Sequence, residues 1–233
     1  MTHTRTNAFG QPIGLPVTTT LPRPAPPHST MTGRLVSLQP MQPEHASGLF
    51  DAFGEDETGR GWTYLPRGPF ADLAEARDWT ATCAASKDPQ FYTILGMDGR
   101  ILGACSYLRI DPANGVIEVG NIHFSPRLQR RAEATETMYL MMARAFDDLG
   151  YRRYEWKCDA LNAPSRKAAK RLGFTYEGTF RQAIVTKGRN RDTAWFSIID
   201  REWPARKARF EAWLAPENFD AEGQQKTALN PAE

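Results

Sequence analysis

The sequence predicts an α/β domain of the α+β type, in which a mixed, mostly antiparallel central sheet is flanked by helices. Apolar residues recur with a period of two in some short segments and with a period near 3.6 in others. The dipeptides Asp98-Gly99 and Asn114-Gly115 are tight-turn signals that join three consecutive β-type segments. Only the centre of the chain alternates strand, helix, strand and helix, so we expect a parallel crossover there alone.

The first half of the domain is predicted to contain one strand, two helices and a three-stranded meander. The first segment alternates polar and apolar residues as a half-buried strand does, and the next begins with proline and continues as a short helix. A second helix follows an aromatic loop. The expected segments are residues 34–39, 43–53, 71–86, 91–97, 101–110 and 116–124.

The second half begins with a long helix whose apolar stripe includes Met138, Met141 and Met142 and which Gly150 is placed to end. A strand, a second helix ending at Gly173, a strand pair around a turn, and a C-terminal helix follow. The expected segments are residues 132–149, 154–159, 162–172, 174–187, 192–200 and 204–214.

Composition limits the class of protein. With 233 residues, 41% of them hydrophobic, the chain can bury one sizeable core. A net charge of +2 is too small to indicate that the whole protein binds nucleic acid or an anionic membrane. Cys83, Cys105 and Cys158 are far apart and form no metal-ligand pattern, so we expect reduced core cysteines and no metal.

The two ends of the chain differ from the domain. Residues 1–33 hold six prolines among threonines and few large apolar groups, which predicts a flexible arm. Residues 215–233 are polar and predict a flexible tail, which leaves residues 34–214 as the folded domain. We expect a cytoplasmic protein, because there is no signal-peptide pattern and no run of 18 apolar residues.

Three motifs resemble those of the GNAT N-acetyltransferases. Within that family they resemble most the RimJ/RimL branch, the ribosomal-protein-alanine acetyltransferases. They are SPRLQRRAEATE before the long helix, NAPSRKAAKRLGF at the second helix, and DTAWFSIIDREWP at the end of the domain. The resemblance covers nearly all of residues 34–214. It implies a GNAT-like fold and transfer of an acetyl group from acetyl-CoA to a primary amine in a ternary complex, without a metal or a covalent enzyme intermediate.

A coenzyme A site is predicted where the long helix begins. Amides at a helix start have no intrahelical acceptor, and with nearby arginines they favour a diphosphate. The family's phosphate loop carries glycine at the positions of Ala132 and Ala134, so this sequence departs from the pattern. The resemblance implies two further sets of contacts with coenzyme A. One comes from the main chain of a splayed strand and the other from the start of the second helix. The expected cofactor-binding residues are Ile122, His123, Phe124, Gln129, Arg130, Arg131, Ala132, Glu133, Ala134, Asn162 and Ser165.

The reaction needs a base for the attacking ammonium and an acid for the departing thiolate. Glu118 and His123 lie on one predicted strand with opposite parity, so we expect them on different faces. The resemblance puts the segment that contains Glu118 on a functional strand, so Glu118 is our candidate base, or else its carboxylate holds a neighbouring loop. The resemblance gives Ser165 as the acid, although Asn162 and Ser165 also suit an ordinary helix cap. Trp62 and Tyr64 are expected to wall the acceptor pocket, or else to cover the core.

Two other functions stay open on the sequence alone. The missing glycines are also compatible with a non-catalytic GNAT-like domain that binds CoA or a partner. The basic segment over residues 181–192 suggests a nucleic-acid-binding module, which the near-neutral net charge disfavours. We expect the protein to bind acetyl-CoA and an amine, and we expect it to bind neither nucleic acid nor a membrane. A homodimer is compatible with the sequence. The acceptor is open between a protein N-terminus and a small-molecule amine.

Overall fold

The computed structural model describes residues 4 to 230; residues 1–3 of the predicted arm and 231–233 of the predicted tail lie outside it. The strands within this range are β1 (Thr4–Thr6), β2 (Pro12–Gly14), β3 (Met31–Thr32), β4 (Val36–Pro40), β5 (Gln90–Gly96), β6 (Ile101–Asp111), β7 (Val116–Phe124), β8 (Arg153–Asp159), β9 (Thr175–Thr186) and β10 (Arg189–Ile199). The α-helices are α1 (Ala46–Gly54), α2 (Leu73–Ala85), α3 (Ala132–Ala143), α4 (Ala163–Arg171) and α5 (Trp203–Leu214).

The strands from β3 onward form one eight-stranded sheet in the order β3-β4-β5-β6-β7-β8-β10-β9. Every neighbouring pair is antiparallel except β7 and β8, which are parallel and are joined through α3. The mixed sheet, the three-stranded meander and the single central crossover are therefore confirmed. The sequence did not predict that β10 would insert between β8 and β9.

Helices cover the two faces of this sheet and form two separate cores. On one face α3, α4 and α5 pack against strand residues such as Tyr107 and Ile117. On the other face α1 and α2 pack against Phe91 and Ala104. The second core is smaller. On its face of the sheet, α1 and α2 do not cover the part formed by β8, β10 and β9. This uncovered part of the sheet becomes important for the site.

The long helix ends in a π-helical turn. This turn, Arg144–Asp148, follows α3 directly, and Gly150 then takes a φ of 65°. This left-handed conformation is one that glycine adopts without steric cost, so Gly150 ends the helix as predicted. The Arg23 side chain lies directly over Gly150, where a Cβ would collide with it.

The domain boundaries stay a prediction, but part of the segment before residue 34 lies along the domain. Arg23 donates from Nε to the Leu149 carbonyl (2.9 Å), and the Tyr151 hydroxyl donates to the Pro24 carbonyl (3.1 Å). β3 then pairs with β4 as an edge of the sheet. These contacts hold the end of the proline-rich segment against the side of the sheet that lies away from the site described next.

Candidate active site

The sheet opens between its two parallel strands. The pairing of β7 with β8 runs from Val116–Arg153 to Val119–Trp156 and stops there, although both strands continue. Residues 120–124 of β7 therefore lose their neighbour on the β8 side while they still pair with β6 on the other. Ile122, His123 and Phe124, the predicted main-chain contacts, lie in this unpaired part. Their free edge can donate hydrogen bonds to a bound group.

A β-bulge lies at the start of the opening and overturns one prediction. On β6, Ala104, Ser106 and Leu108 share a face, and they pair with His123, Gly120 and Glu118 respectively. Asn121, at a φ of 50°, is the extra residue. The expectation that Glu118 and His123 point to different faces is therefore wrong, because one inserted residue shifts the alternation of the strand. Both side chains lie on the α1 and α2 side.

The segment between β7 and α3 ends at an uncapped helix start. Arg131 is the N-cap, with extended backbone and no side-chain hydrogen bond to the first turn. The amides of the next three residues consequently have no intrahelical acceptor. Ala132 and Ala134 have ordinary helical backbone, and the left-handed position is instead Arg130, at a φ of 62°. Alanine in place of glycine thus leaves the amides available.

Basic and polar side chains surround this helix start. Arg130, Arg131 and Gln129 are exposed, and Gln129 donates to the Phe124 carbonyl (2.9 Å). Arg127 instead forms a salt bridge with Glu55 (2.7 Å). The amides, the helix dipole and two arginines together suit a diphosphate. Glu133 is half-buried in the first turn.

α4 begins on the other side of the opening. Asn162 is its N-cap and accepts a hydrogen bond from the Ser165 amide (3.1 Å), so the predicted cap is observed. The Ser165 hydroxyl accepts a hydrogen bond from Trp156 Nε1 (3.0 Å), which fixes the position of its oxygen. Burial raises the pKa of the neighbouring Cys158 thiol, while the Ser165 hydroxyl and two arginines oppose that shift.

Glu118 belongs to a buried charge cluster that the sequence did not predict. Its Oε2 contacts Lys157 Nζ (2.8 Å) and Arg109 Nε (3.3 Å), and Lys157 also contacts Glu155 (2.6 Å). Its Oε1 makes no hydrogen bond within residues 4–230 and lies toward Gly120, at the start of the opening. Burial raises the pKa of Glu118, with Lys157 and Arg109 partly opposing that shift.

His123 is held in an aromatic cluster. Its ring stacks on Phe53 (centroids 3.9 Å apart) and meets Trp62 edge to face (4.2 Å). Burial lowers the pKa of its imidazole to about 4, and Asp56 opposes this shift. The ring is therefore neutral near pH 7. The imidazole is thus enclosed by aromatic residues of the smaller core, and Glu118 stays the candidate base.

The loop between α1 and α2 closes over the opening. Trp62 is 4% exposed and belongs to the smaller core, whereas Tyr64 is half-buried and donates from its hydroxyl to the Leu161 carbonyl (3.0 Å). Lys187, in the β9–β10 turn, donates to the Trp62 carbonyl (2.6 Å). The α1–α2 loop, α4 and the β9–β10 hairpin thus meet around one entrance, and Tyr64 is the better placed of the two predicted wall residues.

Arg171 in the last turn of α4 has structural partners. It donates to Thr135 Oγ1 (3.0 Å) on α3 and stacks on Trp213 of α5. All three cysteines are buried and unpaired, as expected. No group of metal-ligating side chains occurs within the described residues, and none of the helices there is long and apolar enough to cross a membrane.

Comparisons with known proteins agree with this architecture. A family model described as "Acetyltransferase (GNAT) domain" matches residues 35–175. A GCN5-related N-acetyltransferase from Brucella melitensis of known crystal structure is 48% identical over 91% of this chain and 97% of that one, with a TM-score of 0.89. An uncharacterized N-acetyltransferase, p20, of Bacillus licheniformis is 27% identical over 75% of this chain and 98% of its own. RimL, a ribosomal L7/L12 alpha-N-protein acetyltransferase solved with coenzyme A, shares the fold at 20% identity, with a TM-score of 0.63 over 74% of this chain and 99% of that one.

The lowered pKa of His123 predicts a pH-dependent stability. The unfolded chain takes up a proton near pH 6.5 and the folded ring only near pH 4, so this contribution is complete above pH 6.5 and is lost as the pH falls toward 4. His123→Phe keeps an aromatic ring and removes the titration. Urea unfolding of both proteins should show their difference in unfolding free energy changing by about 2 kcal/mol between pH 8 and pH 5. A difference that stays constant with pH would contradict a buried neutral ring.

Proposed function

The chain belongs to the GNAT acetyltransferase family, and on that premise we propose that it transfers acetyl from acetyl-CoA to a primary amine by direct attack in a ternary complex. The observation that carries the proposal is the opening between β7 and β8 with an uncapped helix start beside it. One thioester and one amine can meet there, with a carboxylate and a hydroxyl on either side. The resemblance to N-acetyltransferases favours catalysis over a non-catalytic binding domain.

Acetyl-CoA is placed by backbone groups in this proposal. The amides of Ala132, Glu133 and Ala134 hold the diphosphate, with Gln129, Arg130 and Arg131 around it. The unpaired edge of Ile122, His123 and Phe124 receives the pantetheine arm and donates to the thioester oxygen, where negative charge develops during attack. Asn162 contacts the arm from the start of α4. A phosphate site made mainly of amides needs little help from side chains.

The acceptor amine is deprotonated by Glu118. A carboxylate with an ordinary pKa is a weak base near pH 7, and the burial that raises the pKa of Glu118 improves its match to an ammonium. Lys157 and Arg109 both bind Oε2, so Oε1 is left for the proton. Glu118 thus removes the proton directly or through a water, and the amine nitrogen then attacks the thioester carbon.

The departing thiolate is protonated by Ser165. The carbon–sulfur bond breaks as the amide bond forms; the sulfur takes the hydroxyl proton, and the Ser165 oxygen takes up the proton that the amide nitrogen loses in the same step, so that the serine ends neutral. Trp156 donates to the Ser165 oxygen, which holds the hydroxyl in place. Neither a metal nor a covalent enzyme intermediate is needed. The acceptor enters past Tyr64. An assay of thiol release with a panel of amines distinguishes a protein N-terminus from a small amine as the acceptor.

Glu118→Gln keeps the shape of the side chain and removes the base. Turnover with a good acceptor should fall by roughly 10² to 10⁴, with the affinity for acetyl-CoA unchanged. Glu155→Gln is the matched control, because Glu155 is also buried beside Lys157 but has both oxygens engaged, by Arg153 and Lys157. Steady-state thiol release from pH 6 to 9 measures both variants. Equal losses in the two, or full rate in Glu118→Gln, would place the base elsewhere.

Ser165→Ala and Asn162→Ala should change different properties of the protein. Loss of the cap at Asn162 should lower the unfolding free energy by about 1 kcal/mol and weaken acetyl-CoA binding. Loss of the Ser165 hydroxyl should lower kcat while acetyl-CoA affinity stays close to that of the wild type. Urea unfolding, calorimetric titration and single-turnover rates separate these effects. If both variants lose only stability, the two residues serve α4 and not the reaction.

A further inference from the structure

Arg109 is an exposed cation beside the base of the proposed reaction. Its Nε lies 3.3 Å from Glu118 Oε2, and its side chain is 63% exposed, whereas that of Glu118 is 6% exposed. Lys157, the other cation on this oxygen, is buried and also contacts Glu155. Of these two cations, Arg109 is therefore the one that an entering molecule can reach.

A β-bulge brings Arg109 to this position. Between Leu108 and Asp111, β6 has one residue more than the segment of β7 with which it pairs. In a regular strand Arg109 would point to the face opposite to that of Leu108. With the bulge, Ile110 packs against the larger core on the α3 side, and Arg109 stays beside Glu118.

The bulge holds Arg109 in a backbone conformation that costs free energy for an arginine. Its φ is 49°, in the left-handed region, where a residue with a Cβ is disfavoured and glycine is not. The two carboxylate oxygens of Asp88, in the loop after α2, accept hydrogen bonds from the amides of Arg109 (2.8 Å) and Ile110 (3.1 Å) and fix the bulge. Glycine would suit this backbone better, which points to a role for the arginine side chain.

The guanidinium of Arg109 has donors left for an acceptor molecule. Within residues 4–230, Glu118 is its only ion-pair partner, and a guanidinium carries several N–H donors. An ammonium that approaches Glu118 also meets the positive charges of Arg109 and Lys157, which repel it. A carboxylate on the same molecule offsets this repulsion, and with a guanidinium it forms a charge-assisted bond.

We propose that Arg109 determines acceptor specificity by binding a carboxylate of the molecule whose amine is held at Glu118. This inference rests on the proposed function. Because the guanidinium and the Glu118 carboxylate are in contact, a short acceptor reaches both, with its own carboxylate on the carbon that bears the amine or on the next carbon. Two sources share this chemistry, a free α-amino acid and a chain that begins with aspartate.

The test compares acceptors in pairs that differ only in the carboxylate. Alanine and alaninamide test a free amino acid, and the α-amides of aspartate and asparagine test an N-terminal aspartate. Each pair gives a ratio of kcat/KM at saturating acetyl-CoA, and comparing this ratio between proteins cancels effects on the base and differences between the amines. In Arg109→Met the ratio of at least one pair should fall about ten- to hundredfold, because a charge-assisted bond is lost. Arg109→Lys should keep part of the preference.

Arg100→Met is the matched control, because it removes one exposed cation just before β6, and it should leave both ratios unchanged. Calorimetric titration of the same acceptors in the presence of CoA measures binding without turnover. An Arg109-dependent preference in binding, without acetylation of any amine, would support the inference and contradict the proposed function.

Three results would overturn the inference. Both ratios stay unchanged in Arg109→Met, or all four acceptors lose the same factor, which would leave Arg109 as a partner of Glu118 alone. The third is an equally strong Arg109-dependent preference for aspartate at the third position of a peptide amide, because the spacer between the charged groups is longer there.

Discussion

The site depends on one geometric constraint, the end of the parallel pairing between β7 and β8 at Val119 and Trp156. Up to that point the two strands satisfy each other's backbone groups, and beyond it each strand continues alone. A sheet that opens in this way exposes hydrogen-bonding groups in its interior, where leaving them unpaired is costly. α3 begins at the same level, so uncapped helix amides and unpaired strand groups line one cleft. In the function we propose, backbone groups therefore form most of the acetyl-CoA site.

The bulge at Asn121 adds a second consequence. Without it, His123 would point into the core under α3, and Glu118 would face the acceptor alone. With it, both face the same side, and the His123 ring packs with the aromatic residues of the smaller core. The low pKa of the imidazole and the raised pKa of Glu118 come from the same cause, because burial disfavours whichever form carries the charge. Two titratable groups on one face are thus both kept toward their neutral forms.

Much of the fold follows from local sequence signals, and most of the site does not. Turn dipeptides, apolar periodicity and Gly150 predict the meander and the helices, because these signals act over a few residues. The parity of β7 was predicted wrongly, since the bulge depends on pairing with β6; Gly120, directly before Asn121, is a local signal of a bulge but does not fix its register. Nor does the sequence pair Lys157 with Glu118, which are 39 positions apart. Ala132 and Ala134 depart from the family's glycines, but the left-handed residue of this loop is Arg130, which depends on how the loop folds and not on the glycine pattern.

The central claim is that the start of α3, beside the opened strands, is the acetyl-CoA site. Its most direct test is a calorimetric titration of acetyl-CoA into the wild type, Ala134→Glu and Ala205→Glu. The first substitution puts a carboxylate among the amides of α3, and the second puts the same group on the exposed surface of α5. We expect one binding site per chain in the wild type and in Ala205→Glu, and an affinity weakened at least about tenfold in Ala134→Glu, measured at a temperature at which all three proteins are folded. Unchanged binding by Ala134→Glu would show that the diphosphate lies elsewhere and would contradict this account of the site.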